Sequence, residues 1–140
     1  MKIAGIAGNR GRNLLHIADI SPGGAELSVV VANGEDAPVL DDAAARGVPT
    51  VAVERGDDES RESHEARLLD ALAEYEFDVV CLDGFMRVLS PEFLDSVDTV
   101  LNIHPSLLPA FPGADAHAQV LDANVRTTGA TVHVATEAVD

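Results

Sequence analysis

The sequence predicts an α/β fold: a three-layer, mostly parallel twisted sheet with helices on both faces. Short valine-rich apolar runs alternate with segments of helical spacing through at least four units, the pattern of parallel strands joined by right-handed crossovers. The run from Asp78 to Leu82 shows no polar alternation, as expected of a strand covered on both faces. A chain of 140 residues is one domain by length, spanning residues 1–140, and it can bury roughly two-thirds of its unfolded surface.

Taken in order, Lys2 to Ala7 reads as a short buried strand. The stretch Gly8-Asn9-Arg10-Gly11-Arg12-Asn13 follows, and Leu14, Leu15, Ile17 and Ala18 then fall at helical spacing. Strand, glycine loop and helix in this order suit an anion, because a helix start carries free N–H groups and partial positive charge. An ordinary tight turn with Asn13 as helix cap fits the loop equally well, and it is not the dinucleotide pattern Gly-x-Gly-x-x-Gly. Ser21 to Gly24 is a turn, Leu27 to Ala32 a second strand, and Pro38 to Arg46 a helix closed by Gly47. Thr50 to Val53 is a third strand. Asp57 to Ser60 places acids at the start of a helix running to about Glu74. After the fourth strand, Pro91 opens a short helix at a position that suits proline. A fifth strand lies within Val97 to Ile103, a helix within Asp115 to Ala123, and a last strand within Gly129 to Ala135.

Composition narrows the function. The 24 acidic residues against 9 basic ones give a net charge of −15, and the sole lysine is Lys2. That balance excludes a phosphate-backbone reader, so no nucleic acid is expected as partner. A dense acidic coat repels itself at low salt and is screened at molar salt, so a halophilic, cytoplasmic protein is expected. No apolar run reaches the ~18 residues of a membrane span, the first residues do not form a signal peptide, and the single cysteine fits a reducing cytosol. Cys81, inside an apolar strand, reads as a structural thiol. His16 and His64 read as surface residues. His104, Asp115, His117 and His133 invite a metal reading, but no cysteine supports one and helical Asp115 and His117 should diverge, so no metal is expected.

The string Leu101-Asn102-Ile103-His104-Pro105-Ser106-Leu107-Leu108-Pro109-Ala110-Phe111-Pro112-Gly113 is the most informative stretch. An apolar run ends, and three prolines within eight positions forbid any regular element. Asn102 and His104 are two apart at the boundary. In extended chain they face one side, just where open α/β sheets bind ligands.

That string resembles the signature of the folate-dependent formyltransferases, most of all the phosphoribosylglycinamide formyltransferases of purine synthesis. The likeness extends to Gly11-Arg12-Asn13-Leu14, Ser60-Arg61-Glu62, Asp78-Val79-Val80, Gly84-Phe85-Met86-Arg87-Val88-Leu89-Ser90-Pro91 and Gly129-Ala130-Thr131-Val132-His133. The resemblance implies a Rossmann-like formyltransferase fold and formyl transfer from 10-formyltetrahydrofolate to the amine of 5′-phosphoribosylglycinamide. It implies that Gly11, Arg12 and Asn13 hold the substrate phosphate. Folate contacts fall to Arg61, Met86, Arg87, Val88, Leu89 and Asn102, and to Thr136, Glu137, Ala138, Val139 and Asp140. It makes Asn102, His104 and Asp140 catalytic. The residue types suit the chemistry: the amine attacks the formyl carbon, an oxyanion forms, and aimed donors stabilise it by ~3–4 kcal/mol each. Asn102 donates, imidazolium His104 donates and protonates the leaving nitrogen, and a carboxylate at Asp140 favours the charged ring. The partners are then small molecules, with a homodimer left open.

The sequence departs from the family's usual pattern at Asp83, where a small apolar residue is common, and at Asp115, where many members carry histidine. Family members continue past the position of Asp140 with Gly-Gly-Pro, a strand and a helix, so the chain is expected to lack that segment. The rival readings are a formyltetrahydrofolate hydrolase, with water as acceptor, and an inactive module that binds folate or phosphate. A methionyl-tRNA formyltransferase would add a basic RNA-binding domain.

Overall fold

The computed structural model describes residues 1–136. Its strands are β1 (Lys2–Ala7), β2 (Glu26–Ala32), β3 (Thr50–Ala52), β4 (Val79–Asp83), β5 (Val100–His104) and β6 (Thr131–Val134). Its helices are α1 (Arg12–Ile20), α2 (Pro38–Ala45), α3 (Arg61–Ala73), α4 (Pro91–Ser96) and α5 (Ala116–Ala123). The six strands form one sheet in the order β3-β2-β1-β4-β5-β6. All pairings are parallel except that of β5 with β6. The chain winds outward from β1 to β3, then returns to β4 on the other side of β1. Strand order therefore reverses between β1 and β4, which opens a crevice beyond their C-terminal ends.

Alternation along the central strands divides the core into two layers. Ala4, Ile6, Val29, Val31, Val80 and Leu82 pack with Leu68 and Leu72 of α3 and Phe93 of α4. Ile3, Ala7, Val30, Ala32 and Val79 pack with Leu14 and Leu15 of α1 and Val39 and Ala43 of α2. Each sheet face has its own pair of helices. That is why these strands read as unbroken apolar runs.

The local differences from the sequence reading have simple causes. Helix α1 begins at Arg12 rather than near Leu14, and its cap position is Gly11 at φ 55°, so Asn13 lies inside the first turn and is not the cap. A left-handed cap residue favours glycine, and a Cβ on Gly11 would meet Val39 Cγ2 at 2.5 Å. Strand β5 continues one residue past Ile103, because His104 still pairs with Thr131 across the antiparallel edge. Asp115, at φ 59°, precedes α5 instead of lying in it. His64 is not a surface residue. It is buried one turn before Leu68 on α3, and its Nε2–H donates to the Val53 carbonyl at 2.8 Å.

Candidate active site

A cavity of about 830 Å³ lies beyond the C-terminal ends of β4 and β5. Its wall includes Asn13 from α1, Asp83 and the following turn through Leu89, Asn102 to Pro105, and Gly113 to Ala118. His133, Ala135 and Thr136 close the β6 side. Elements distant in sequence converge here because the order reversal leaves the ends of β1 and β4 side by side. Gly8 tightens that junction: its N–H donates to the Asp83 carbonyl at 3.1 Å, and a Cβ on it would lie 1.9 Å from the Gly84 carbonyl oxygen.

Asn102 and His104 both line this cavity from β5. Asn102 Nδ2 donates to His133 Nε2 at 3.3 Å, while His133 Nδ1–H donates to the Val134 carbonyl at 3.2 Å. The two bonds together assign His133 the Nδ1–H tautomer and orient the Asn102 amide. His104 is 4 % exposed, and its Nε2–H donates to the Phe111 carbonyl at 2.8 Å. The proline-rich loop that follows is tied to the strand edge in turn. Ser106 Oγ donates to the carbonyls of Ala110 and Phe111. Thr131 Oγ1 accepts from Leu108 N–H at 3.0 Å and donates to the Ser106 carbonyl at 2.7 Å. The imidazole is thus oriented by a loop that is itself clipped to β6.

The segment named for folate contact forms a wall with an apolar lip. Met86 and Val88 are exposed, at 76 % and 41 %, while Phe85 and Leu89 point their side chains into the core. This turn is braced from below by α3. Buried Glu65 accepts from Ser90 N–H at 2.8 Å and from the Ser90 hydroxyl, and Ser90 Oγ caps α4 by accepting from Phe93 N–H. Arg87 lines the cavity with Met86, Val88 and Leu89. Arg61 does not: it opens α3, with its guanidinium 3.5 Å from the Glu62 carboxylate.

Of the residues read as a phosphate loop, Asn13 lines the cavity, while Gly11 and Arg12, the cap and first residue of α1, do not. Asp115 and His117, expected to diverge, border the same cavity, because Asp115 is a left-handed cap and not a helical residue. Among the described residues no group of three or more histidine, cysteine or acidic side chains is placed to hold a metal ion. Cys81 is half-buried, and burial pushes its thiol up from the ordinary value, which keeps it protonated. Thr136 lies on the cavity wall. The positions Glu137, Ala138, Val139 and Asp140 lie outside the described residues.

Sequence reasoning assigned no role to His133, although its place two residues from Thr131 on a strand bordering Asn102 puts it against the amide. It also left open what Asp83 does. Asp83 Oδ2 accepts from Asn13 N–H at 2.8 Å and Leu14 N–H at 3.3 Å, and Oδ1 accepts from Asn13 Nδ2 at 3.0 Å. Its carboxylate closes the start of α1.

Among the described residues no helix is long and apolar enough to cross a membrane. A family model described as formyl transferase matches residues 1–140. Phosphoribosylglycinamide formyltransferase of Escherichia coli (strain K12) is 35% identical over 144 residues, covering 100% of the chain and 68% of that protein. The trifunctional purine biosynthetic protein adenosine-3 of Bos taurus is 38% identical over 143 residues, which are 99% of the chain but 14% of that protein. The chain therefore spans about one-seventh of the length of such relatives. The crystal structure of glycinamide ribonucleotide transformylase 1 from Symbiobacterium toebii superposes with a TM-score of 0.92 at 37% identity, over 100% of the chain and 68% of that structure.

Proposed function

The chain belongs to the formyl transferase family, and from that premise we propose that it moves the formyl group of 10-formyltetrahydrofolate onto the amine of 5′-phosphoribosylglycinamide. The observation that carries this reading is the pairing of Asn102 with His104 on the wall of a cavity that also presents Asn13 and the turn from Met86 to Leu89. The phosphate enters at the α1 end, against Gly11, Arg12 and Asn13. The folate lies along Met86, Arg87, Val88 and Leu89, with Asn102, Thr136 to Asp140 and Arg61 as the further contacts that the family resemblance implies. The formyl carbon then sits between them.

Each residue has a defined task. Attack by the substrate amine turns the formyl oxygen into an oxyanion, and donors aimed at that oxygen act most strongly in a site shielded from water. One hydrogen of the Asn102 amide is committed to His133, and the other is directed to the oxyanion. His104 supplies the proton for the departing folate nitrogen, and the attacking nitrogen, cationic after addition, gives up one proton that restores the charged ring. The Phe111 carbonyl holds that ring so that transfer costs little reorganisation. Asp140 is assigned the task of favouring the charged form of that ring. The substrate supplies the nucleophile, so the mechanism uses no nucleophilic side chain and no metal. The acid-rich composition, with −15 net charge, fits a cytoplasm of high salt.

The test is an acceptor assay in high-salt buffer with 10-formyltetrahydrofolate. Formylated ribonucleotide that appears only when phosphoribosylglycinamide is present is the expected result. Formate released at the same rate without acceptor would instead identify a hydrolase. Ligand binding with neither product would leave a binding module.

A further inference from the structure

At the topological switch point, the side chain of one acidic residue occupies the donors that an anionic ligand would use. The first turn of α1 offers N–H groups with no partner inside the helix. Those of Asn13 and Leu14 both donate to Asp83 Oδ2, and the Asn13 side-chain amide donates to Oδ1. The arrangement is built into the sheet. Asp83 is the last residue of β4 and pairs with Ala7, and the Gly8 N–H on its main-chain oxygen locks it beside the loop. A carboxylate and a phosphate monoester make the same demand on such a turn: two or three N–H groups and the positive end of the helix dipole. Both cannot have the Asn13 and Leu14 donors at once, and two anions sharing the turn repel.

We propose that Asp83 is an affinity-setting residue, a resident anion that weakens the hold of the α1 turn on any phosphate, so that only a phosphate tethered to a substrate anchored elsewhere binds well. This rests on the reading of Gly11 to Asn13 as the phosphate end of the site. A free small anion must displace Asp83 or bind beside it with nothing in return. A phosphorylated substrate whose amine end is held near Asn102 and His104 meets the same penalty but still binds, because the rest of the molecule supplies binding energy of its own.

The experiment compares the parent protein with Asp83→Ala and Asp83→Asn by calorimetric titration with inorganic phosphate, ribose 5-phosphate and 10-formyltetrahydrofolate. Removing the carboxylate should tighten inorganic phosphate by about two- to fivefold, the size of a helix-terminus charge effect at an exposed site. Asp83→Asn, which keeps an acceptor oxygen and the shape of the contact, should give part of that gain even where Asp83→Ala loosens the helix start. In turnover, the KM for the phosphorylated substrate should fall while kcat holds. Equal phosphate affinity in all three proteins would overturn the inference and leave the loop reading intact. Weaker phosphate binding in both variants would make Asp83 a supporting cap and also overturn it. If none of the three binds ribose 5-phosphate while the folate still binds, the loop reading itself falls, and the inference with it.

Discussion

The two ends of the sheet are built from different forces. In β1 five of six residues are buried, and the interior of β2 is closed on both faces by apolar side chains from α1, α2 and α3. In β6 burial alternates, and Val132 and Val134 are 65 % and 60 % exposed. What holds the β5–β6 end is polar: the Thr131 hydroxyl between Leu108 and Ser106, the Ser106 hydroxyl on Ala110 and Phe111, and His104 on Phe111. The dry centre supplies stability that depends on volume and shape, while the edge supplies direction, since hydrogen bonds fix angles that apolar contacts leave loose. Asn102 and His104 lie on β5, the strand where the two regimes meet. The first is aimed by an edge residue, His133, and the second by the loop.

The comparison predicts that activity and stability respond to different ends of the sheet. The largest effect is expected for His104→Ala. Loss of a positioned proton donor should lower kcat by about 10²–10⁴-fold, with the circular dichroism spectrum retained. Residual turnover within threefold of the parent would remove His104 from the chemistry and would make its bond to Phe111 purely structural. Next comes Ile6→Ala in β1, where a fully buried side chain is cut back and a cavity is left in the core. Denaturant titration should show a loss of about 2–5 kcal/mol, and the folded fraction should keep its kcat. A fall in kcat of folded Ile6→Ala would mean that the two ends are coupled more tightly than their contacts suggest.

How much of this could be read from the chain follows the same division. The apolar runs of β1, β2 and β4 and the helices packed on them were legible, because burial on two faces writes itself into composition at every position. The meeting of Asn102 and His104 on one cavity was legible because two-residue spacing on a strand is a geometric rule. His64 reads as a surface residue because nothing local marks a helical histidine whose partner is a carbonyl just past the end of β3. The place of Asp115 turned on a left-handed backbone that a non-glycine residue does not announce. Asp83 stood out in the sequence as an acid in an unusual place. Its partners, 69 and 70 residues earlier, became visible only once β4 lay beside β1.

The smallest effect, and the one that most sharpens the contrast, is expected at Thr131. Its hydroxyl is both acceptor and donor, joining the Leu108 N–H and the Ser106 carbonyl, so it clips the proline-rich loop to the antiparallel edge. Thr131→Val keeps the size and the strand preference and removes both bonds. It leaves a part-buried N–H and carbonyl without that partner, for a loss of about 1–3 kcal/mol in stability. If the edge supplies direction, the loss should be local. Amide hydrogen exchange should quicken around residues 105–111 and stay unchanged in β1 and β2, and kcat should fall severalfold because the Phe111 carbonyl no longer holds the His104 ring in one orientation. Exchange that quickens evenly across the whole sheet would instead show that the clip carries global stability, and the division between a dry centre and a directing edge would not hold.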